Sequence, residues 1–327
     1  MSSSIIATLR FAEEQVNIFL GIPVLIAGLL GGFLNLIVFL TLRTFRESSC
    51  AFYLTVMSIV NSGRLFTGLM SYILINGYAI DWTATSIAYC KIRYFLVLTF
   101  APISCTCLCL STIDQYFATC SRPRWQHWSN IKLANRVMIG FIFIWILHST
   151  PHFFFYNHVQ SVTTGKISCT STNVIFSQYR TYGVNLILIG FLPVSITISF
   201  GLFAFRNVKQ LAHRALPLVR RELDKQITAM VLLQVVFNAF MTLPYLITSA
   251  LALDMNIMSD PVVAAKIQFL TTVTILIYYA NCSVGKERFN NIKNFDFITI
   301  SRFHFISICV YRNDFVDSSF IHSARLI

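Results

Sequence analysis

Few side chains in this sequence could do chemistry, and those few stand in unusual surroundings. Cys105, Cys107 and Cys109 have the composition of a metal cluster. A spacing of two on a helix, however, sends them to different faces, so their expected role is small apolar packing. The seven histidines show no ligand spacing, and there is no His-Glu-x-x-His, Gly-x-Ser-x-Gly or phosphate-loop pattern. Metal-dependent, acyl-transfer and nucleotide chemistry therefore lack their residues, and neither an enzyme nor a cofactor is expected. Arg64 stands out as the one basic residue deep within an apolar stretch. At the centre of a membrane helix it costs about 2.5–3.5 kcal/mol on insertion scales, so it should face a bundle interior or a water-filled cavity. Asn61 lies less than one turn earlier. Two roles for Arg64 stay open: a contact to a carboxylate or amide carbonyl of a ligand, or bonds to backbone carbonyls, Asn61 and water.

The elements that must hold these residues are seven apolar stretches, at about 18–42, 51–75, 86–120, 133–155, 182–205, 227–253 and 264–284. About 20 apolar helical residues match a hydrocarbon core of about 30 Å, and a helix satisfies its own backbone in lipid. Hydrophobic residues make up 56% of the chain, only 12% are charged, and mean hydropathy is +0.67. The expected fold is an all-α membrane protein, a seven-transmembrane helix bundle with its N-terminus extracellular. Its parts would be a short outer segment over 1–17, a transmembrane domain over 18–293, and a cytoplasmic tail over 294–327 without fixed structure. The first 17 residues are mixed polar and show no cleaved signal pattern.

The net charge of +12 could suggest nucleic acid, but its distribution argues against that. Of the 25 basic residues, 18 fall in segments that lie inside if the N-terminus is outside, and six fall outside. That bias fixes orientation and suits the inner face to anionic lipid or an acidic partner. Gly28, Gly31 and Gly32 allow close helix contact in the first span, and Pro193 and Pro244 interrupt the fifth and sixth. The third span, of roughly 30 residues, exceeds a perpendicular crossing. The seventh is weak: its firmly apolar part, 267–280, is about 21 Å long. Residues 166–172 have the Ser/Thr-rich character of a hairpin.

In order along the chain, these residues resemble the landmarks of the rhodopsin-like (class A) G-protein-coupled receptors. Among those the sequence is most similar to invertebrate neuropeptide receptors of the RFamide type. Asn35 matches the asparagine of the first span. Cys90 and Cys169 match the disulfide between the third span and the second outer loop. Asp114-Gln115-Tyr116 matches the Asp-Arg-Tyr triplet closing the third span. Trp145, Pro193, Pro244 and Asn281 match landmarks of the fourth to seventh. The resemblance covers about 17–293. Departures matter too. Asn61 stands where the family usually has an aspartate that helps bind sodium. Gln115 replaces an arginine held by an ionic lock, which implies a weaker lock and altered basal signalling. Thr242 stands where an aromatic toggle is usual, and no Pro-x-x-Tyr completes the motif after Asn281.

The resemblance implies a receptor for an extracellular ligand that signals through a heterotrimeric G protein from the plasma membrane. Asp114, Gln115, Tyr116, Arg122 and Arg221 would face that G protein, and Asn61, Pro193, Thr242, Pro244 and Asn281 would form the switch. Arg64, Tyr94 and Val97 are the ligand-contact candidates. Val97 is where amine receptors carry an aspartate, and Ile275 is where opsins carry a lysine. Amine and retinal ligands therefore fall, and the aromatic outer half (Tyr72, Tyr78, Trp82, Tyr94, Phe95) suits a peptide. Two alternatives stand beside this reading. One is a transporter or channel, although neither an internal repeat nor an intramembrane carboxylate is found. The other is a signalling-deficient relative with a truncated seventh helix.

Overall fold

The computed structural model describes residues 2–41, 48–160, 167–211, 218–252 and 259–283. It opens on α1 (Ser2–Thr41), 40 residues without a break. Residues 2–17, expected as a separate outer segment, instead extend the first helix by more than four turns. The reason is an inward face that sequence hydropathy does not reveal. Asn17 is fully buried and donates Nδ2 to the Glu13 carbonyl at 3.0 Å. Glu13, itself buried, accepts the Thr272 hydroxyl at 2.9 Å.

The second crossing starts at Ser48, whose side chain accepts the Ala51 N–H, and runs as α2 (Ser49–Arg64). A wide π-type turn over Leu65–Leu69 follows, and then α3 (Met70–Gly77). Among the described residues, six helices are long and apolar enough to cross a membrane by length and composition. The second crossing makes the seventh, split at this wide turn and diluted by Arg64. Asp81 caps the short α4 (Trp82–Thr85), and Ser86 caps α5 (Ile87–Thr119). At 33 residues α5 is about 50 Å long, more than a perpendicular span needs. The loop helix α6 (Pro123–Gln126) leads to α7 (Ile131–Ser149), capped by Asn130, and then α8 (His152–Phe155).

Next comes a β-hairpin. β1 (Tyr156–Gln160) pairs antiparallel with β2 (Ile167–Ser171), with His158 opposite Cys169. The fifth crossing consists of α9 (Val174–Gln178), a π-type stretch over Tyr179–Phe191, and α10 (Leu192–Leu211). Pro193 has no N–H to give, and its ring would crowd the Ile189 carbonyl one turn back in a regular helix. That carbonyl instead lies 3.9 Å from the Cys105 thiol, which donates to it.

α11 (Leu218–Leu251) contains Pro244, and α12 (Pro261–Ser283) completes the bundle. Asp260 accepts the Val262 N–H at 2.8 Å and Pro261 opens the helix, a strong start signal. With 23 residues α12 is about 34 Å long, so it crosses a bilayer within its described length. The truncation expected after Asn281 concerns residues outside the described set. Everything from 284 onward, the 294–327 tail included, lies outside the described residues.

α5 is the axis of the bundle, packed by α2, α7, α10 and α11, while α1 packs on α12, α2 and α3. Large apolar side chains such as Phe33, Phe143, Phe191 and Phe240 point outward and exposed. That inside-out surface is what lipid requires.

Candidate functional site

Three layers of polar side chains thread the bundle. At the outer end, Cys90 in the first turn of α5 is bonded to Cys169 of β2, with Cα atoms 5.9 Å apart. Both cysteines are buried with Tyr156, and Tyr94 packs against them. The Tyr94 and Tyr156 rings stack with centroids 4.1 Å apart. Arg180 donates from Nη1 to the Tyr156 hydroxyl. Burial pushes the Tyr156 phenol up to about 12, against the lowering pull of Arg180, so it stays neutral at physiological pH. The imidazole of His158 pairs with the Thr83 carbonyl at 2.7 Å, which fixes the hairpin to the neighbouring outer loop. Tyr94 thus supports the hairpin's anchor. Val97, half-buried on α5, brings only an apolar surface.

At the centre, Asn61, Arg64 and Asn281 come together around one cavity, joined by Ser104, Gln234 and Asn238. Arg64 is 4% exposed. Its guanidinium carbon lies 4.2 Å from the Tyr278 ring centre and 5.3 Å from that of Tyr279. A desolvated cation over an aromatic face gains about 2 kcal/mol. Removing a charge from water costs several kcal/mol per ion, so the rings alone do not balance Arg64. Arg64 Nη2 has no hydrogen-bond partner among the described residues. The Ser104 hydroxyl donates to Asn61 Oδ1 at 2.7 Å, and Asn281 Nδ2 donates to Asn238 Oδ1 at 2.7 Å. The seventh crossing is thereby tied to the sixth, and Tyr245 stacks on Tyr278 with centroids 4.8 Å apart. Thr242 is buried and its hydroxyl has no partner among the described residues. It does not line this cavity. Pro244 lies in the same helix, with its carbonyl accepting from Thr248 at 3.2 Å.

Among Cys105, Cys107 and Cys109 on α5, Cys107 turns to a different face, whereas Cys105 and Cys109, four apart, share one. Cys105 and Cys109 turn to the fifth crossing, where Cys109 donates to the Pro193 carbonyl at 3.9 Å, and Cys107 meets the Met138 sulfur at 3.6 Å. Trp145 donates its indole N–H to Thr106 at 2.9 Å.

At the inner end Asp114 and Gln115 are buried and Tyr116 is half-buried. Thr228 of α11 donates its hydroxyl to Gln115 Oε1 at 3.0 Å. Tyr116 packs edge-on against Phe200 of α10, with centroids 5.6 Å apart. Arg122 is exposed in the loop before α6. Arg221 lies in the first turn of α11, and its side chain is outside the described set.

Sequence reasoning missed Glu13, Thr228, and the cavity partners Gln234 and Asn238. The last two did leave a signal: amides four apart in an apolar run share one helical face. Thr228 left none, since one threonine near a helix end has no distinctive pattern.

The sequence profile of the 7 transmembrane receptor (rhodopsin family) matches residues 34–285, more than half of the chain. Among curated proteins the chain is similar to mouse (Mus musculus) somatostatin receptor type 2. They are 23% identical over 278 residues, covering 83% of this chain and 72% of the mouse protein.

Proposed function

The chain belongs to the rhodopsin family of seven-transmembrane receptors, and from that premise we propose that it binds an extracellular peptide at the plasma membrane and signals through a heterotrimeric G protein. It is a multi-pass membrane receptor and not an enzyme. The family match over 34–285 carries the reading. Two further features support it: the relative in mouse is a receptor for somatostatin, a peptide, and a disulfide-tied hairpin borders the outer end. The finer placement among RFamide-type neuropeptide receptors belongs to this proposal and rests on the ordered landmarks in the sequence.

The mechanism is a choice between two packings of the fifth and sixth crossings. Ligand contacts favour one packing, with Tyr94 in the outer half and Arg64 at the centre as candidate contacts and Val97 as an apolar wall. Transmission requires unequal affinity for the two, and a tenfold preference supplies about 1.4 kcal/mol. Asn61, Pro193, Thr242, Pro244 and Asn281 would carry the change inward, and Asp114, Gln115, Tyr116, Arg122 and Arg221 would present it to the G protein.

A peptide-library screen on cells expressing the tagged chain tests this, with somatostatin and RFamide-type amidated peptides included and calcium and cAMP as readouts. The expected result is a saturable response to one peptide class that is absent from untransfected cells. Surface-expressed chain that is silent to every class would overturn the proposal in favour of a signalling-deficient receptor. Radiolabelled solute flux in vesicles would expose a transporter.

A further inference from the structure

Arg64 brings a full positive charge into the middle of the bundle, and among the described residues no carboxylate lines its cavity. The polar groups that remain there are mostly donors. Asn61 Oδ1 is occupied by the Ser104 hydroxyl and Asn238 Oδ1 by the Asn281 amide, which leaves the N–H groups of Asn61 and Asn238. Arg64 Nη2 is a further donor without a partner. The one buried acceptor left over among the lining side chains is Gln234 Oε1. Arg64 and Gln234 line the same cavity space, and their unpartnered atoms do not bond each other. That space takes a water-sized or slightly larger occupant.

We propose that this cavity is a binding site for a small monovalent anion of the chloride class. Arg64 supplies the charge, and the amide groups of Asn61 and Asn238 complete the donor set. A buried cation without a counter-charge is the costly arrangement, and a diffusible anion removes that cost without a carboxylate among the described lining residues. A metal cation is disfavoured because Arg64 would repel it. The bound anion would join the second crossing, through Asn61 and Arg64, to the sixth, through Asn238. This site shares Arg64 and Asn61 with the peptide and G-protein reading, but its test reads salt-dependent unfolding and needs neither peptide nor G protein.

The full chain, purified in detergent, is unfolded by heat while a thiol-reactive fluorophore reads its buried cysteines. The salts are sodium chloride, sodium bromide, choline chloride and sodium gluconate at equal ionic strength. Chloride and bromide are expected to raise the midpoint over gluconate whatever the cation. Above saturation onset the rise should be about 2–4 °C per tenfold of anion. Arg64→Gln should lose that dependence. Asn61→Asp, which builds an anion in beside Arg64, should unfold in gluconate at or above the wild-type chloride midpoint and ignore chloride. Equal midpoints in all four salts would mean that water alone fills the cavity and would overturn the proposal. So would a rise that follows sodium, or a chloride shift that survives in Arg64→Gln. If Arg64→Gln does not fold, Asn61→Asp decides: a chloride shift of wild-type size in it sinks the site.

Discussion

Gln115 holds Thr228 across the inner end of the bundle by a neutral hydrogen bond of 3.0 Å, and both residues are buried. A neutral bond of this kind contributes about 0.5–1.5 kcal/mol net, whereas bonds to charged groups reach about 1.5–3 kcal/mol. The third and sixth crossings are therefore latched, but more lightly than an arginine-based ionic lock would latch them. Thr228→Val keeps the shape and removes the donor. Its expected effect is a rise in ligand-independent signalling of about 2–10-fold, the range equivalent to one neutral bond. Nucleotide exchange in membranes expressing the variant checks this, and basal exchange equal to wild type would show that the bond does not restrain the inner end. Gln115→Arg, beside Asp114, tests the same position from the other partner. A charge-assisted pair with Asp114 would withdraw the side chain from Thr228 and change basal signalling, and an unchanged G-protein assay would remove Gln115 from the switch.

The elements were legible where a periodic pattern or a paired landmark existed, and illegible where rotation about a helix axis decided the outcome. Seven apolar stretches were readable as crossings because lipid demands continuous apolar length. The hairpin and its Cys90–Cys169 bridge were readable from strand-like composition and from the resemblance. What length and hydropathy do not carry is phase. Glu13 lies in a mixed-polar segment, and its contacts with Thr272 and Gln268, with the burial of Asn17, reveal that this side of α1 faces inward. The π-type turn after Arg64 likewise has no periodic signature, yet it re-aims everything beyond it. Within that turn, a Cβ on Gly68 would run into the Tyr279 phenol, the ring that Arg64 lies over. Gly68→Ala should then destabilise by about 1–3 kcal/mol through overpacking, seen as a lower melting midpoint, and an unchanged midpoint would deny the close contact. The bridge permits a sharper number. It joins residues 79 apart, and closing such a loop is worth about 4.5 kcal/mol in the chain-entropy model. Paired Cys90→Ser and Cys169→Ser substitution should lower the midpoint and surface expression, with reductant having the same effect on wild type and none on the double variant.

For the whole molecule, orientation follows from two independent asymmetries that agree. The hairpin and its disulfide sit at one end of the bundle, and disulfides persist on the oxidising side of a membrane. Along the sequence, 18 basic residues against six fall in the segments that an outside N-terminus assigns to the inner side, as the positive-inside rule requires of a cytoplasmic face. An odd number of crossings then puts the two chain ends on opposite sides. The arrangement also explains why so much apolar surface can point outward without aggregation: Phe33, Phe143, Phe191 and Phe240 are solvated by acyl chains and not by water. An epitope tag before Ser2 should therefore bind antibody on intact cells, and a tag after Ile327 should bind only after the membrane is permeabilised. Mutating Arg122, Arg124 and Arg136 to glutamine weakens the bias by three inner charges, and a fraction of chains with the N-terminal tag hidden is then expected. If both tags stain intact wild-type cells, the number of crossings is even. In that case at least one of the seven apolar stretches does not cross, and the seven-crossing geometry on which the receptor reading rests fails.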